Sequence, residues 1–133
     1  MNESSVTHHI MVVDDEDNVL KALRRELKGS KSYNVHTFNA PEDALAHAAI
    51  HRFDLLITDY KMPWMHGLTF IKHITALQPH IAVIVISANA DEALRHSHFN
   101  EVEIPVLLSK PWHRAELLEC VASALDHQND EKS

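Results

Sequence analysis

Four polar groups in this chain stand directly after runs of large apolar residues. Asp14-Asp15 follows Ile10-Met11-Val12-Val13, Asp59 closes Leu55-Leu56-Ile57-Thr58, Ser87 follows Val83-Ile84-Val85-Ile86, and Lys110-Pro111 comes just after Val106-Leu107-Leu108-Ser109. Carboxylates can ligate a hard cation or act as nucleophiles, while a hydroxyl and an ammonium donate hydrogen bonds to oxyanions. Whether they act together depends on where the apolar runs put them. Such runs are too short for helices and read as strands buried on both faces, the pattern of parallel sheets. In an open parallel sheet the ligand crevice lies just outside the carboxyl ends of the strands, so these groups sit at the end where a site belongs.

The rest of the chain supplies the helices that such a sheet needs. Residues 1–7 are polar and read as a flexible lead-in to a first strand over His8–Val13. Val19, Leu20, Leu23 and Leu27 then recur at helical spacing between residues 16 and 28, with Gly29 as a stop. A loosely alternating second strand covers Tyr33–Phe38. After it Asn39 and Glu42 resemble a capping pair, Pro41 suits a first helical turn, and a second helix runs to about residue 51. Pro63 restricts Met62 to extended conformations after the third strand. Leu68, Ile71, Ile74 and Leu77 mark a third helix ended by Pro79, and residues 81–86 form a fourth strand. From Ala90 to Phe99 the apolar pattern thins to Ala93, Leu94 and Phe99, so a fourth helix there is held weakly and is the most mobile element. A short fifth strand precedes a last helix with Leu117, Leu118, Val121 and Leu125 on one face, and residues 128–133 read as a flexible tail or the start of a linker. Five strands alternating with five helices imply an α/β fold, a five-stranded parallel sheet with helices on both faces through right-handed crossovers.

At 133 residues the chain fits one domain on the usual scale of about 100 to 200. The formal charge of −7, from 12 basic and 19 acidic residues, argues against direct binding to nucleic acid, which requires a cationic surface. The single Cys120 lies in an apolar helical pattern, reads as a small buried hydrophobe, and suits a reducing cytoplasm. There is no basic-then-apolar leader, and no apolar run approaches the roughly 18 residues of a membrane span, so the sequence reads as soluble, unexported and without a membrane partner. Twelve histidines are many for this length. His47 and His51 have the i, i+4 spacing of a metal pair, but no Cys or acidic pattern completes a zinc set, so the expectation is of scattered surface histidines, His96 and His98 among them.

With Asp14-Asp15, Asp59, Ser87 and Lys110-Pro111 each placed after successive buried strands, the chain resembles the receiver domain of bacterial two-component response regulators over about residues 8–127. One such motif alone would say little, whereas four in order on the expected elements are specific. The resemblance implies a flavodoxin-like, chemotaxis-receiver-like sheet of strand order 2-1-3-4-5, which sets strands one and three side by side and brings the three carboxylates to the switch point. Carboxylates so placed repel one another and would partly protonate unless a cation neutralises them. Oxygen-only ligands beside a phosphate site suit Mg²⁺, with Mn²⁺ as a substitute. The resemblance implies that Asp15 and Asp59 bind the ion directly, Asp14 through water, and that the backbone carbonyl of Lys61 adds a ligand. It also implies that Asp59 is the phosphoacceptor, supplied by a sensor histidine kinase or phosphotransfer protein, and that Lys110 stabilises the transferring oxygens. Ser87 would then move toward the new phosphate and bias the face formed by the fourth helix, fifth strand and last helix between two packings. On this reading the chain is not an enzyme beyond self-catalysed transfer and hydrolysis at Asp59. Its output goes to a downstream protein or output domain, and copies could pair as homodimers through that same face.

The chain departs from the family at Leu107, where an aromatic residue usually stands three positions before the lysine and swings inward with the hydroxyl. Lys61 and Asn89, two positions after Asp59 and Ser87, occupy sites that influence the hydrolytic water, and Lys61 could extend over the phosphate and shield it. Trp64 and His66 make the neighbouring loop bulkier than usual. Trp112 after Lys110-Pro111 resembles receivers joined to hydrogenase-type transcription regulators or cyclic-dinucleotide phosphodiesterases. Each site residue also has a plainer use: Asp14 and Asp15 as helix caps, Asp59 in a turn, Ser87 bonded to local backbone, Lys110 as a solvated charge. A dehalogenase-type phosphatase needs Asp-x-Asp where this chain has Asp59-Tyr60-Lys61, and a flavodoxin needs a hydroxyl-rich phosphate cradle where it has Asp14-Asp15-Glu16. The remaining alternative is a receiver-like interaction module that works without phosphate. Leu107 lends it weight; the acidic triad and Lys110 count against it.

Overall fold

The apolar runs form the strands that their pattern predicts. In a computed structural model that describes residues 7–29, 32–60, 67–89, 91 and 106–132, the elements are β1 (His8–Val13), α1 (Asp17–Leu27), β2 (Tyr33–Phe38), α2 (Pro41–Ala48), β3 (Leu55–Asp59), α3 (Gly67–Leu77), β4 (Ala82–Ser87), β5 (Val106–Ser109) and α4 (Arg114–Lys132). The five strands form one sheet in the order β2-β1-β3-β4-β5, with every neighbouring pair parallel. Val13 pairs with Thr58, Asp59 with Ile86 and Ser87 with Ser109, so the carboxyl ends of the strands finish nearly level. Apart from Asp91, the helix expected over Ala90–Phe99 lies outside the described residues, as does the loop with Lys61, Trp64 and His66.

Strand residues alternate between two cores. Ile10, Val12, Leu55, Ile57, Ile84, Ile86 and Leu108 pack with Leu20, Leu23 and Leu27 of α1 and with Leu117 and Val121 of α4. On the other face Met11, Val13, Leu56, Val83 and Val85 pack with Ala44 and Ala48 of α2 and with Phe70, Ile71 and Ile74 of α3. Because helices cover both faces, every residue of β3 is buried and its sequence carries no polar alternation. Burying one such aliphatic side chain contributes about 1.5–3 kcal/mol, which makes β3 the best-anchored platform in the molecule. Edge strand β2 is only partly buried, which accounts for its looser alternation.

Three helix ends differ from the sequence reading. Asn39 and Glu42 form no capping pair: the N-cap of α2 is Ala40, in an extended conformation without a side-chain cap, and Pro41 opens the helix with its preset φ. The same helix stops at Ala48, three residues short of the expected end. Gln78 explains the stop, because its side-chain amide donates to Ala48 O at 2.9 Å and to His51 O at 2.6 Å while its Oε1 accepts from Phe53 N–H at 2.8 Å. Carbonyls left over at the helix end are satisfied there by another element. At the chain's end α4 continues to Lys132, past the apolar pattern, since the segment after Leu125 contains neither Gly nor Pro to end it.

Leu56 is fully buried at the centre of the α2/α3 side of the sheet. Leu56→Ala should lower the unfolding free energy by about 2–5 kcal/mol through lost burial and the residual cavity, measured as a shift in urea midpoint without a change in slope.

Candidate functional site

Backbone bonds that extend the strand ladders fix the candidate residues. The Asp14 N–H donates to Phe38 O at 3.1 Å, the Tyr60 N–H to Ile86 O at 2.9 Å, and the Lys110 N–H to Ser87 O at 2.9 Å. Asp14, Asp59 and Lys110 are thereby delivered to one end of the sheet by β1, β3 and β5. Asp14, Asp15 and Asp59 each present a carboxylate oxygen within 4.8 Å of the others. Lys110 Nζ lies 3.3 Å from Asp59 Oδ1 and 3.9 Å from Asp14 Oδ2. The Tyr60 N–H donates to Asp59 Oδ1 at 2.9 Å, and the Glu16 N–H donates to Asp14 Oδ1 at 2.8 Å. The peptide between Lys110 and Pro111 is cis.

These carboxylates are short of positive charge. Asp14 is 2% exposed and Asp59 9%, while Asp15 is half-buried. Burial pushes the Asp14 carboxyl from 3.8 up to about 6; the charges of Asp59 and Asp15 push the same way, and the Glu16 N–H and Lys110 pull it down. Burial also holds Asp59 above the ordinary carboxylate value, with Asp15 adding to it and Lys110 and the Tyr60 N–H opposing. Among the described residues three carboxylates face one ammonium, so two negative charges go unmatched within that set when all are ionised. An oxygen-only donor set with that deficit fits a hard divalent cation, and Asp14, Asp15 and Asp59 are the cluster able to hold a metal ion among the described residues.

Ser87 is buried beside this cluster, and its hydroxyl is engaged locally: it donates to Asn89 O at 3.0 Å and accepts from the Asn89 N–H at 3.0 Å. The plainer use foreseen for Ser87 is therefore real, and reaching an oxyanion would mean giving up the bond to Asn89 O. A cavity of about 150 Å³ opens between Asp59, Tyr60, Ser87, Ala88, Asn89 and Lys110, room for a group of phosphate size. Lys61, whose carbonyl was expected as a ligand, lies outside the described residues. Leu107, at the usual aromatic position, packs against the α2/α3 core. A larger hollow of about 350 Å³, lined by Ile50, Phe53, Leu77 and Pro79 among others, contains none of the site residues.

Two contributors escape sequence reasoning. The Tyr60 N–H is a backbone donor, and the only trace of it is that β3 ends one residue earlier, at Asp59. Trp112 was visible as a neighbour of Lys110-Pro111, but its partner was not: its Nε1–H donates to Glu26 Oε1 at 2.8 Å, and its ring packs on the α1/α4 core, tying the segment after Lys110 to α1.

The chain matches the response regulator receiver domain family over residues 10–122. It belongs to that family. The cyclic di-GMP phosphodiesterase response regulator RpfG of Xanthomonas campestris is 34% identical over 112 residues, covering 82% of this chain and 29% of its own length. The hydrogenase transcriptional regulatory protein HoxA of Cupriavidus necator is 31% identical over 119 residues, covering 90% of this chain and 24% of its own length. Among solved structures, the signal receiver domain of an HD domain-containing protein from Pseudomonas fluorescens superposes with a TM-score of 0.85 at 31% identity, covering 93% of this chain and 98% of that one. The chain thus spans under a third of the length of these two curated relatives. Receiver domains of two-component response regulators interact with histidine kinases or phosphotransfer proteins and act as phosphoacceptors rather than as turnover enzymes. No helix among the described residues of this receiver is long and apolar enough to cross a membrane.

The raised value of Asp14 sets a pH dependence. The folded state holds this proton more tightly than the unfolded chain, so the contribution is fully present below about pH 4 and is lost as pH rises through about 6. At pH 7.5 the ionised group is a burden on the order of 2–3 kcal/mol. Asp14→Asn should therefore raise the unfolding free energy of the metal-free receiver at pH 7.5 by up to that amount. The gain should shrink toward zero near pH 4 and narrow in millimolar Mg²⁺, as followed by urea titration.

Proposed function

We propose that this receiver accepts a phosphoryl group on Asp59 from a phosphohistidine of a sensor kinase or phosphotransfer protein and is switched by it. The observation that carries this reading is the meeting of three carboxylates with Lys110 Nζ 3.3 Å from Asp59, beside a cavity of phosphate size. The Tyr60 N–H and Lys110 both act on Oδ1 of Asp59, which orients the carboxylate and leaves Oδ2 as the attacking atom. A new bond forms from Oδ2 to phosphorus, the bond from phosphorus to the donor imidazole nitrogen breaks, and the imidazole leaves with that electron pair. Lys110 then lies where negative charge gathers on the transferring oxygens, and this positioning with fixed charge is most of what phosphoryl transfer requires.

Asp15 and Asp59 would hold Mg²⁺, or Mn²⁺ in its place, with Asp14 acting through water and the Lys61 carbonyl completing the set. When bound, the ion neutralises the carboxylates and the incoming phosphoryl oxygens. Lys61 would shield the phosphate, and Trp112 would place this chain with the receivers of hydrogenase-type regulators and cyclic-dinucleotide phosphodiesterases, whose output parts would then be its downstream partner. A cytoplasmic location suits a kinase donor of this kind.

Incubation with acetyl phosphate and Mg²⁺ should add the mass of one phosphoryl group to the wild type and none to Asp59→Ala, with Lys110→Ala slowed by at least 10-fold. Unmodified wild type would leave the phosphate-independent interaction module as the better reading. Phosphorylated copies would pair through the surface that includes β5 and α4. Light scattering with beryllofluoride should then report a doubled mass, and an unchanged mass would count against pairing.

A further inference from the structure

Helices α2 and α3 pack against each other and both stop at the end of the sheet opposite the acidic site. After Ala48 and after Leu77 the chain turns back to enter β3 and β4 at their amino ends, and the hollow of about 350 Å³ lies between these two returning segments. Its floor is apolar and buried, formed by Ala48, Phe53 and Ile81. Ile50 is 76% exposed and Leu77 48%; they are the exposed large apolar side chains of the described residues, and both line this hollow. Single apolar side chains on a surface are ordinary, but two that converge on one concave apolar floor have the pattern of a contact site.

The rim of the hollow is basic in a chain whose formal charge is −7. His51, Arg52 and His80 line it, and none of its lining residues is acidic. Arg52 supplies the permanent charge; it is exposed and forms no ion pair among the described residues. Helix C-termini favour cations, but only within about the last turn, and Arg52 stands four residues beyond Ala48, where α2 ends. Backbone carbonyls that would repel an anion here are already engaged. Ala48 O and His51 O accept from the Gln78 side-chain amide at 2.9 and 2.6 Å, and Gln78 O accepts from the Ile81 N–H at 3.1 Å. The guanidinium at this rim is therefore set against an apolar floor with the helix ends quenched.

We propose that this hollow docks an acidic segment of a partner protein, with one large apolar anchor residue seated between Ile50 and Leu77 and a neighbouring carboxylate on Arg52. The volume is at the small end of the range for ligand sites and suits one or two side chains rather than a cofactor. An apolar anchor held in a pocket carries most of the energy of a typical contact, and an Arg at the rim pairs with a carboxylate through two parallel hydrogen bonds. An apolar floor with a single guanidinium does not suit the repeated phosphates of a nucleic acid. The five residues of β3, at about 3.3 Å each, separate the hollow from the acidic site. A partner held here leaves the carboxylates open, so the docking site stands independently of the phosphoacceptor reading.

The test is titration of the isotope-labelled chain, followed by its backbone amide NMR shifts, with the peptide acetyl-Asp-Glu-Phe-Leu-Glu-Asp-amide. Two control peptides carry Lys and Arg in place of the acids, or Gly-Ser in place of Phe-Leu. The expected result is a saturable shift confined to residues 48–53 and 77–81, given by the acidic apolar peptide alone. Affinity should fall about 10-fold or more in Ile50→Ser and in Arg52→Glu and stay unchanged in Lys28→Glu. Ile50, Arg52 and Lys28 are all exposed, so these changes leave the cores intact, and Lys28→Glu makes the same charge reversal on α1. No saturable shift at these residues, equal binding of either control peptide, or wild-type affinity in Ile50→Ser or Arg52→Glu would each overturn the assignment. Shifts of the same residues that grow with receiver concentration in the absence of peptide would give the hollow to a second copy of the chain and overturn it as well.

Discussion

Buried like charge is the constraint on which the rest of this molecule depends. Asp14 and Asp59 are nearly inaccessible, Asp15 is half-buried, and among the described residues the one ammonium at the cluster, Lys110, reaches Asp14 and Asp59. A relaxed chain would turn such groups outward, because a carboxylate out of water without matched charge is either protonated or costly. Here they cannot turn, since each follows a strand whose interior residues are fixed in two cores and whose last backbone bonds run past the site. The apolar layers therefore hold the charges in place, and the strain appears in the raised values of Asp14 and Asp59. A site built this way is poised to gain from a cation or from a group that carries one.

The same scaffold explains why the donors are arranged as they are. Backbone N–H groups of Glu16 and Tyr60 reach one oxygen each of Asp14 and Asp59, and Lys110 leans over both carboxylates from β5. Each donor comes from a different position along the strand ends, so no single loop assembles the site. Trp112 adds a brace from the segment after Lys110 to Glu26 of α1, which ties the far edge of the sheet to a helix beneath its centre. Charge, ladder and brace together make the geometry a property of the whole domain.

Most of this was legible because buried parallel strands write themselves as unbroken apolar runs, and the residue after each run must lie at the sheet's end. That reasoning located Asp14, Asp59, Ser87 and Lys110 from their neighbours alone; the strand order came from the family resemblance. What stayed hidden depended on contacts between distant segments. The early stop of α2 is dictated by Gln78, thirty residues beyond Ala48, and nothing local announces it. Asn39 looked like a cap, but Pro41 starts the helix with Ala40 at the cap position. The pairing of His9 with His36 requires the β1–β2 register, which no single-segment pattern contains. The extension of α4 was readable in principle from the lack of Gly or Pro, yet the loss of apolar spacing pointed the other way.

The route by which the site could speak to the rest of the domain differs from a ring swing. With Leu107 resting on the α2/α3 core, no aromatic side chain stands ready to move inward from β5. Ser87 is the group with a choice to make, because its hydroxyl is doubly engaged with the backbone of Asn89 while its own carbonyl accepts the Lys110 N–H. A strong oxyanion acceptor in the neighbouring cavity would compete for the Ser87 proton against a neutral carbonyl, and charged acceptors form the stronger bond by about twofold. Releasing Asn89 O would loosen the Ser87–Asn89 turn that follows β4. Any response to such a group would begin at a hydrogen bond already present at rest.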